Sequence, residues 1–329
     1  MKTYEPSQIR NLLLVGHGGA GKTTLAEALL LLGGAVTRMG SVEDGNSTSD
    51  FEPEETKRQI SVSLALTPIE WRETKINVLD APGYADFVGD VRGALRAVDA
   101  CLFVVSAVDG VEVQHEMVWE LAVEHRLPRA FFINKMDRER ASFERTLDQL
   151  VQSFGTQVAP LQFPIGEEHG FEGVADLLSR RAYRYASGPT GEESDWPDDI
   201  AGKADPYRER LTESVAEADD ALLEKYLDQG ELSRDEIVRG IKAGITEAKL
   251  APVLCGAAPK PAGVDRLADL VVDAFPSPAE RPAVTVMTKD GEEQERACDP
   301  NGPLTAFVFK TISDPYVGRI SLFRVFSGN

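Results

Sequence analysis

The sequence predicts an α/β fold, a mostly parallel sheet with helices on both faces, and two observations carry that prediction. Short apolar runs alternate with helical patterns through the first half of the chain, and apolar strands separated by helices pair in parallel. A glycine-rich segment, Gly16-His17-Gly18-Gly19-Ala20-Gly21-Lys22-Thr23, sits between the first run and the first helical pattern. The runs cover residues 11–16, 61–70, 75–80, 100–107, 129–134 and 253–256. The helical patterns cover 22–32, 85–98, 112–125, 142–154 and 264–274. Val62, Leu64 and Leu66 alternate with small or polar residues, as in a strand with one buried face.

The rhythm breaks between about residues 155 and 250, which read as an inserted α+β subdomain. It carries a Gly/acid/Pro stretch from Gly188 to Asp199, expected to be a flexible loop, and then charged helices near 207–227 and 233–247. Pro276, Pro278 and Pro282 stop the helix before them and mark a stiff linker. Beyond it, 304–310 and 318–327 read as strands of a different, all-β module. The expected organisation is a domain over 1–282 with its insertion, and the truncated beginning of a second domain over 283–329. Two or three strands hold too little core to stand alone, so this module is expected to lean on the first domain or to be part of a longer chain.

With 329 residues, 42% of them hydrophobic, the chain can bury a sizeable core. No run approaches the ~20 apolar residues of a membrane-spanning helix. Three cysteines, Cys101, Cys255 and Cys298, argue against a disulfide framework and fit a reducing cytoplasm. The net charge of −19 repels phosphate backbones, so no direct sequence-specific nucleic-acid binding is expected.

Residues 16–23 fit G-x-x-x-x-G-K-[ST] in the strand–loop–helix setting the motif requires. Its glycines let backbone N–H groups turn toward phosphate oxygens, and the helix N-terminus adds its positive end. Lys22 is expected to reach the β- and γ-phosphates, Thr23 to hold Mg²⁺, and Thr24 to lie beside the nucleotide. Asp80-Ala81-Pro82-Gly83 closes a strand; Asp80 serves the metal shell and the Gly83 N–H approaches a γ-phosphate. In Asn134-Lys135-Met136-Asp137, the Asp137 carboxylate accepts from the guanine N1–H and exocyclic amine, a donor pair that adenine lacks. Asn134 ties this loop to the phosphate loop, and the Lys135 stem packs on the base. Gly256, Ala257 and Ala258 follow another strand, where a backbone N–H meets the guanine O6. The ligands are therefore GTP or GDP with Mg²⁺. His115, His125, Trp71, Trp119 and Trp196 are read as packing residues, and 52–58 as a solvated charged loop.

These motifs, together with Arg10-Asn11, Asp86-Phe87, Gly110-Val111, Pro128-Arg129, Phe132-Ile133, Arg138, Val253-Leu254-Cys255, Pro276-Ser277-Pro278, Phe309-Lys310 and residues 314–319, resemble elongation factor G and related translational GTPases. The resemblance covers nearly the whole chain. It implies a ribosomal partner, an elongation-factor-type insertion, and a β-barrel second domain of which 283–329 are the first strands. It also implies that Ser61, in Arg58-Gln59-Ile60-Ser61, joins Thr23 and Asp80 at the metal.

Three positions depart from that family's pattern. Gly18 and Gly19 replace its apolar residue and Asp, and Tyr84 replaces the His that positions the attacking water. A phenol, with an ordinary pKa of about 10, is a poor proton acceptor at neutral pH. Losing a well-placed group of this kind costs roughly 10²–10⁴ in rate. Lys22, Gly83 and Tyr84 are the candidate catalytic residues. Two readings stay open: a GTPase acting on the ribosome, and a GTP-switched ribosome-associated or regulatory protein with weak or no turnover. Residues of about 40–60 are expected to be disordered when no γ-phosphate holds them.

Overall fold

The computed structural model describes residues 2–186, 188–314 and 318–328. In chain order the elements are β1 (Ile9–Val15), α1 (Lys22–Leu32), α2 (Pro53–Arg58), β2 (Ala65–Trp71), β3 (Thr74–Asp80), α3 (Val88–Leu95), β4 (Ala100–Ser106), α4 (Val113–Glu124), β5 (Arg129–Asn134), α5 (Phe143–Phe154) and β6 (Val158–Pro160). They continue as β7 (Gln162–Ile165), β8 (Gly173–Asp176), β9 (Arg181–Arg184), β10 (Glu192–Asp195), α6 (Asp198–Glu217), α7 (Asp220–Gln229), α8 (Arg234–Thr246), β11 (Ala251–Cys255), α9 (Val264–Ala274), β12 (Val284–Met287), β13 (Glu293–Arg296), β14 (Thr305–Asp314) and β15 (Gly318–Ser327).

The main sheet runs β2-β3-β1-β4-β5-β11-β6, with only the β2–β3 pair antiparallel. The period-two alternation of its strands splits the core. Leu12, Leu14, Val78, Leu102, Val104 and Phe132 face one layer, where Leu25 and Leu29 of α1 and Leu267 and Val271 of α9 cover them. Leu13, Val15, Leu79, Phe103, Val105, Phe131 and Ile133 face the other, beneath Val91 of α3, Val118 and Trp119 of α4 and Leu147 and Leu150 of α5. Both faces are dry, which is why these strands read as continuous apolar runs. Because the strands are parallel, Val15, Asp80, Ser106, Asn134 and Cys255 all end at one edge of the sheet.

Beyond β6, which still pairs with β11, the chain forms a four-stranded antiparallel sheet β10-β9-β8-β7 and three helices. Two expectations fail here. The stretch from Gly188 to Asp199 holds a strand, β10, because Arg181 on β9 forms ion pairs with Glu193 and Asp195 across the ladder. The helix expected over 207–227 is two: α6 begins before Pro206 and α7 restarts at Asp219, whose carboxylate accepts the N–H groups of Ala221 and Leu222.

One further expectation is corrected between α1 and β2. Residues 52–58 are not a solvated loop. They contain α2, started by Pro53 and a Glu52–Glu55 capping box. Its Glu55 is 1% exposed and accepts the N–H groups of Val62 and Ser63. Farther back, Glu27 of α1 accepts from the Gly40 and Thr48 N–H groups. After α9, Pro278 is buried and the Ser277 hydroxyl bonds Glu280, so the proline segment lies against the domain. Hairpins β12–β13 and β14–β15 follow. Pro315, Tyr316 and Val317, quoted above for the resemblance, lie outside the described residues.

Candidate functional site

The loop between β1 and α1 turns on Gly16, Gly19 and Gly21, at φ values of 145°, 82° and 94°. No side chain caps α1, so its first N–H groups remain available to an anion. Two of these glycines are also excluded from change by their neighbours. A Cβ at Gly21 would strike the Asn134 side-chain amide, and one at Gly16 would strike the Val104 carbonyl.

Lys22 lies beneath this loop, 6% exposed, with Nζ donating to the carbonyls of Gly16 and His17 at 3.0 Å each. Burial draws its pKa down to about 8, against the pull of Asp80, Asp50 and Glu112. Gly83 packs so closely on Lys22 Nζ and the Gly18 N–H that no side chain fits there.

Next to the lysine, Thr23 Oγ1 donates to Asp80 Oδ2 at 2.7 Å and lies 2.9 Å from Ser61 Oγ. The other Asp80 oxygen, Oδ1, is buried without a partner. Burial pushes the Asp80 carboxyl up to about 7, opposed by Lys22 and the Thr23 hydroxyl. Asp50, from the segment before α2, is 5% exposed with an unpartnered Oδ2, and burial raises its pKa too. Two hydroxyls and two carboxylates with unmatched oxygens are a donor set for a hard divalent cation that keeps part of its hydration. Among the described residues no group of three or more His, Cys, Asp or Glu side chains gathers around a point.

Asn134 bridges the loops at the other end. Its Nδ2 donates to the Ala20 carbonyl and its Oδ1 accepts from the Ala258 N–H, each at 3.0 Å. Lys135 takes a left-handed φ of 64°, and the buried Met136 N–H bonds the Gly256 carbonyl. Asp137 Oδ1 is buried without a partner, while Oδ2 lies 3.7 Å from Lys260. Between these groups runs a cleft of about 1230 Å³, lined by Gly19, Gly21, Thr24, Asn134, Lys135 and Asp137. Its volume is more than sufficient for a mononucleotide.

Tyr84, 41% exposed, lays its ring over Gly18. His17 stands beside it, ring centroids 6.5 Å apart, with Nδ1 2.6 Å from Gln114 Oε1 and Nε2 3.3 Å from Glu112. Sequence reading missed Asp50, Glu55, Glu112 and Gln114. His115 packs under Gly16. Its Nδ1 accepts the Glu112 N–H at 3.0 Å, so Nε2–H donates to the Val104 carbonyl at 3.1 Å. Burial lowers its pKa to about 4 and keeps it neutral.

Residues 7–277 match the family model described as the elongation factor Tu GTP binding domain. Elongation factor G of Thermotoga maritima is 41% identical over 324 residues, which span 98% of this chain and 47% of that protein. A crystal structure of a Thermus thermophilus protein superposes with a TM-score of 0.85 at 35% identity, over 98% of this chain and 46% of that one. The chain thus spans about half the length of the relatives it matches. The match runs through the phosphate loop, the Asp80 turn, the Asn134–Asp137 loop and the Ala257–Ala258 turn, and on this basis the chain belongs to the elongation factor Tu GTP-binding domain family.

Proposed function

We propose that the chain is the nucleotide-binding part of an elongation factor G-like translational GTPase, binding GTP and GDP with Mg²⁺ and working on the ribosome in the cytoplasm. The observation that carries this reading is a pair of buried, unpartnered carboxylate oxygens, Asp137 Oδ1 in the lining of the cleft and Asp80 Oδ1 on the carboxylate that Thr23 bonds. A buried oxygen without a donor costs about 1–3 kcal/mol. The guanine N1–H and amine satisfy Asp137, and the metal's hydration shell satisfies Asp80.

The phosphate-loop N–H groups and Lys22 hold the phosphates. Thr23 and Ser61 supply hydroxyls to the cation, with Asp80 and Asp50 behind them. Mg²⁺ held by these residues would supply positive charge against the charge that develops on the phosphate oxygens. Lys22 stabilises the same developing charge, and the Gly83 N–H directs the γ-phosphate. Tyr84 stands beside the γ-phosphate position and orients water through its hydroxyl. Residues 1–282 form the GTP-binding domain with its insertion, and 283–329 open a β-barrel.

Titration calorimetry in Mg²⁺ tests the reading. GTP and GDP bind, ATP binds more weakly by about 10⁴, and Asp137→Asn removes that preference. ATP bound as tightly as GTP overturns it. Single-turnover hydrolysis with and without ribosomes then measures turnover, which Tyr84→Ala lowers by roughly 10²–10⁴ if the hydroxyl orients water.

A further inference from the structure

Lys310 is the feature that the nucleotide site does not account for. It lies on β14, in the C-terminal hairpin, yet its half-buried ammonium donates to Ser63 Oγ at 3.0 Å and to the Leu64 carbonyl. Those residues follow Ser61, whose hydroxyl lies 2.9 Å from Thr23 Oγ1. Backbone 62–64 is gripped from three elements. Glu55 of α2 takes the N–H groups of Val62 and Ser63, Asp90 of α3 takes that of Leu64 at 3.1 Å, and Lys310 takes the carbonyl and hydroxyl. Glu52, Glu55 and Asp90 surround the ammonium with negative charge, while burial works against it.

The hairpin itself is fastened elsewhere. Arg324 of β15 bonds the Ala97 carbonyl at 2.7 Å and Asp99 at 2.9 Å, and Arg96 lies 4.3 Å over the Phe307 ring. These anchors hold β14–β15 to the α3 side of the domain and touch nothing near Thr23 or Asp80. Among the described residues the hairpin is thus held to the core, through Arg324, Phe307 and Phe309, and also to the segment behind Ser61, through Lys310.

We propose that Lys310 is a positioning residue for the cation and nucleotide site, holding the Ser61 hydroxyl at Thr23 from the C-terminal module. This rests on the reading that Ser61 and Thr23 serve the cation. It follows that the two ends are coupled. A ligand that fixes Ser61 tightens the grip of the hairpin, and a displaced hairpin loosens the cation by the same factor.

The test measures the Mg²⁺ concentration that half-saturates retention of a fluorescent GTP analogue by the full chain. Lys310→Met keeps the aliphatic stem and loses the ammonium. It raises that concentration about three- to tenfold, as expected when a charge-assisted hydrogen bond that orients a ligand-bearing loop is lost. Lys310→Arg restores most of the effect. Arg324→Ala, which removes an anchor remote from Ser61 and leaves the Lys310 contacts in place, lowers thermal stability and raises the Mg²⁺ requirement less than Lys310→Met does. Ser61→Ala raises the requirement, and adding Lys310→Met to it produces no further rise. If Ser61→Ala shifts the requirement and Lys310→Met does not, the Lys310 proposal is wrong while the site reading stands. If Ser61→Ala has no effect, the reading of the metal site fails and takes this proposal with it. A Lys310→Met chain that melts lower but keeps the normal requirement shows a merely structural role and overturns the proposal.

Discussion

Gly18→Ala tests whether Tyr84 occupies the space that Gly18 leaves free. The Gly18 backbone is not in the left-handed region, so the main chain accepts alanine. A compatible Gly→Ala change stabilises by about 0.4–1 kcal/mol, because the unfolded chain loses freedom. Tyr84 opposes that gain. An alanine Cβ would stand 2.7 Å from its Cζ, 2.9 Å from Cε2 and 3.0 Å from Cε1. Carbon atoms rest at about 3.5–4.0 Å, so the ring must retreat by roughly 1 Å. At 41% exposure it has solvent to retreat into, so the cost is that of mild overpacking, about 1–2 kcal/mol. Gly18→Ala should therefore be neutral to mildly destabilising in the native background and stabilising in Tyr84→Ala. The coupling in a double-mutant cycle is about 1–2 kcal/mol. Urea unfolding of the four proteins measures it. An equal effect of Gly18→Ala in both backgrounds would refute the contact, and so would a strongly destabilising effect in Tyr84→Ala.

The neighbouring glycine should behave differently. Gly21→Ala combines a φ of 94° with a collision at the Asn134 amide, so it should abolish GTP binding by calorimetry and lower stability in any Tyr84 background; retained binding contradicts the loop geometry. Asp80 gives a pH signature. Its folded pKa, about 7, lies above the ordinary value of 3.8, so its contribution to stability is fully present below pH 3.8 and is lost as pH rises through 7. In the nucleotide-free chain, Asp80→Asn should thus raise the melting temperature more at pH 8 than at pH 5, and a difference that is flat or reversed across that range rules out Asp80 as the titrating group.

The parallel sheet and the loops at its edge were legible because both-face burial writes continuous apolar runs, and phosphate-loop chemistry demands glycine and lysine at fixed spacing. What escaped was written in other terms. α2 carried its signal openly, in Glu52, Pro53 and Glu55, but the charge of 52–58 masked it. β10 reads Glu-Glu-Ser-Asp, with no strand propensity; it pairs because Arg181 lies opposite, which no local window shows. Pro206 hid the start of α6. Asp50 carried no motif at all. Only the folding of residues 40–60 over α1 brings it to Ser61, so its place was decided by contacts distant in sequence.

The unpartnered atoms give the site its electrostatic logic. Among the described residues, the buried carboxylate oxygens without a hydrogen-bond partner belong to Asp50, Asp80 and Asp137. Asp137 lines the cleft and Asp80 accepts from Thr23, and each of these orphaned oxygens carries a desolvation cost that an incoming donor or cation removes. Glu112 adds a further acid whose pKa burial raises, and among the described residues the only buried cation at the phosphate end is Lys22. A polyphosphate entering that end of a chain of net charge −19 meets more negative charge than positive. Lys22 alone cannot balance it. On the proposed reading the divalent cation is therefore required for binding as well as for chemistry. The acids that repel an unaccompanied nucleotide are the ones that retain the cation–nucleotide complex, and this is why the position of Ser61, and whatever holds it there, controls how firmly the ligand stays.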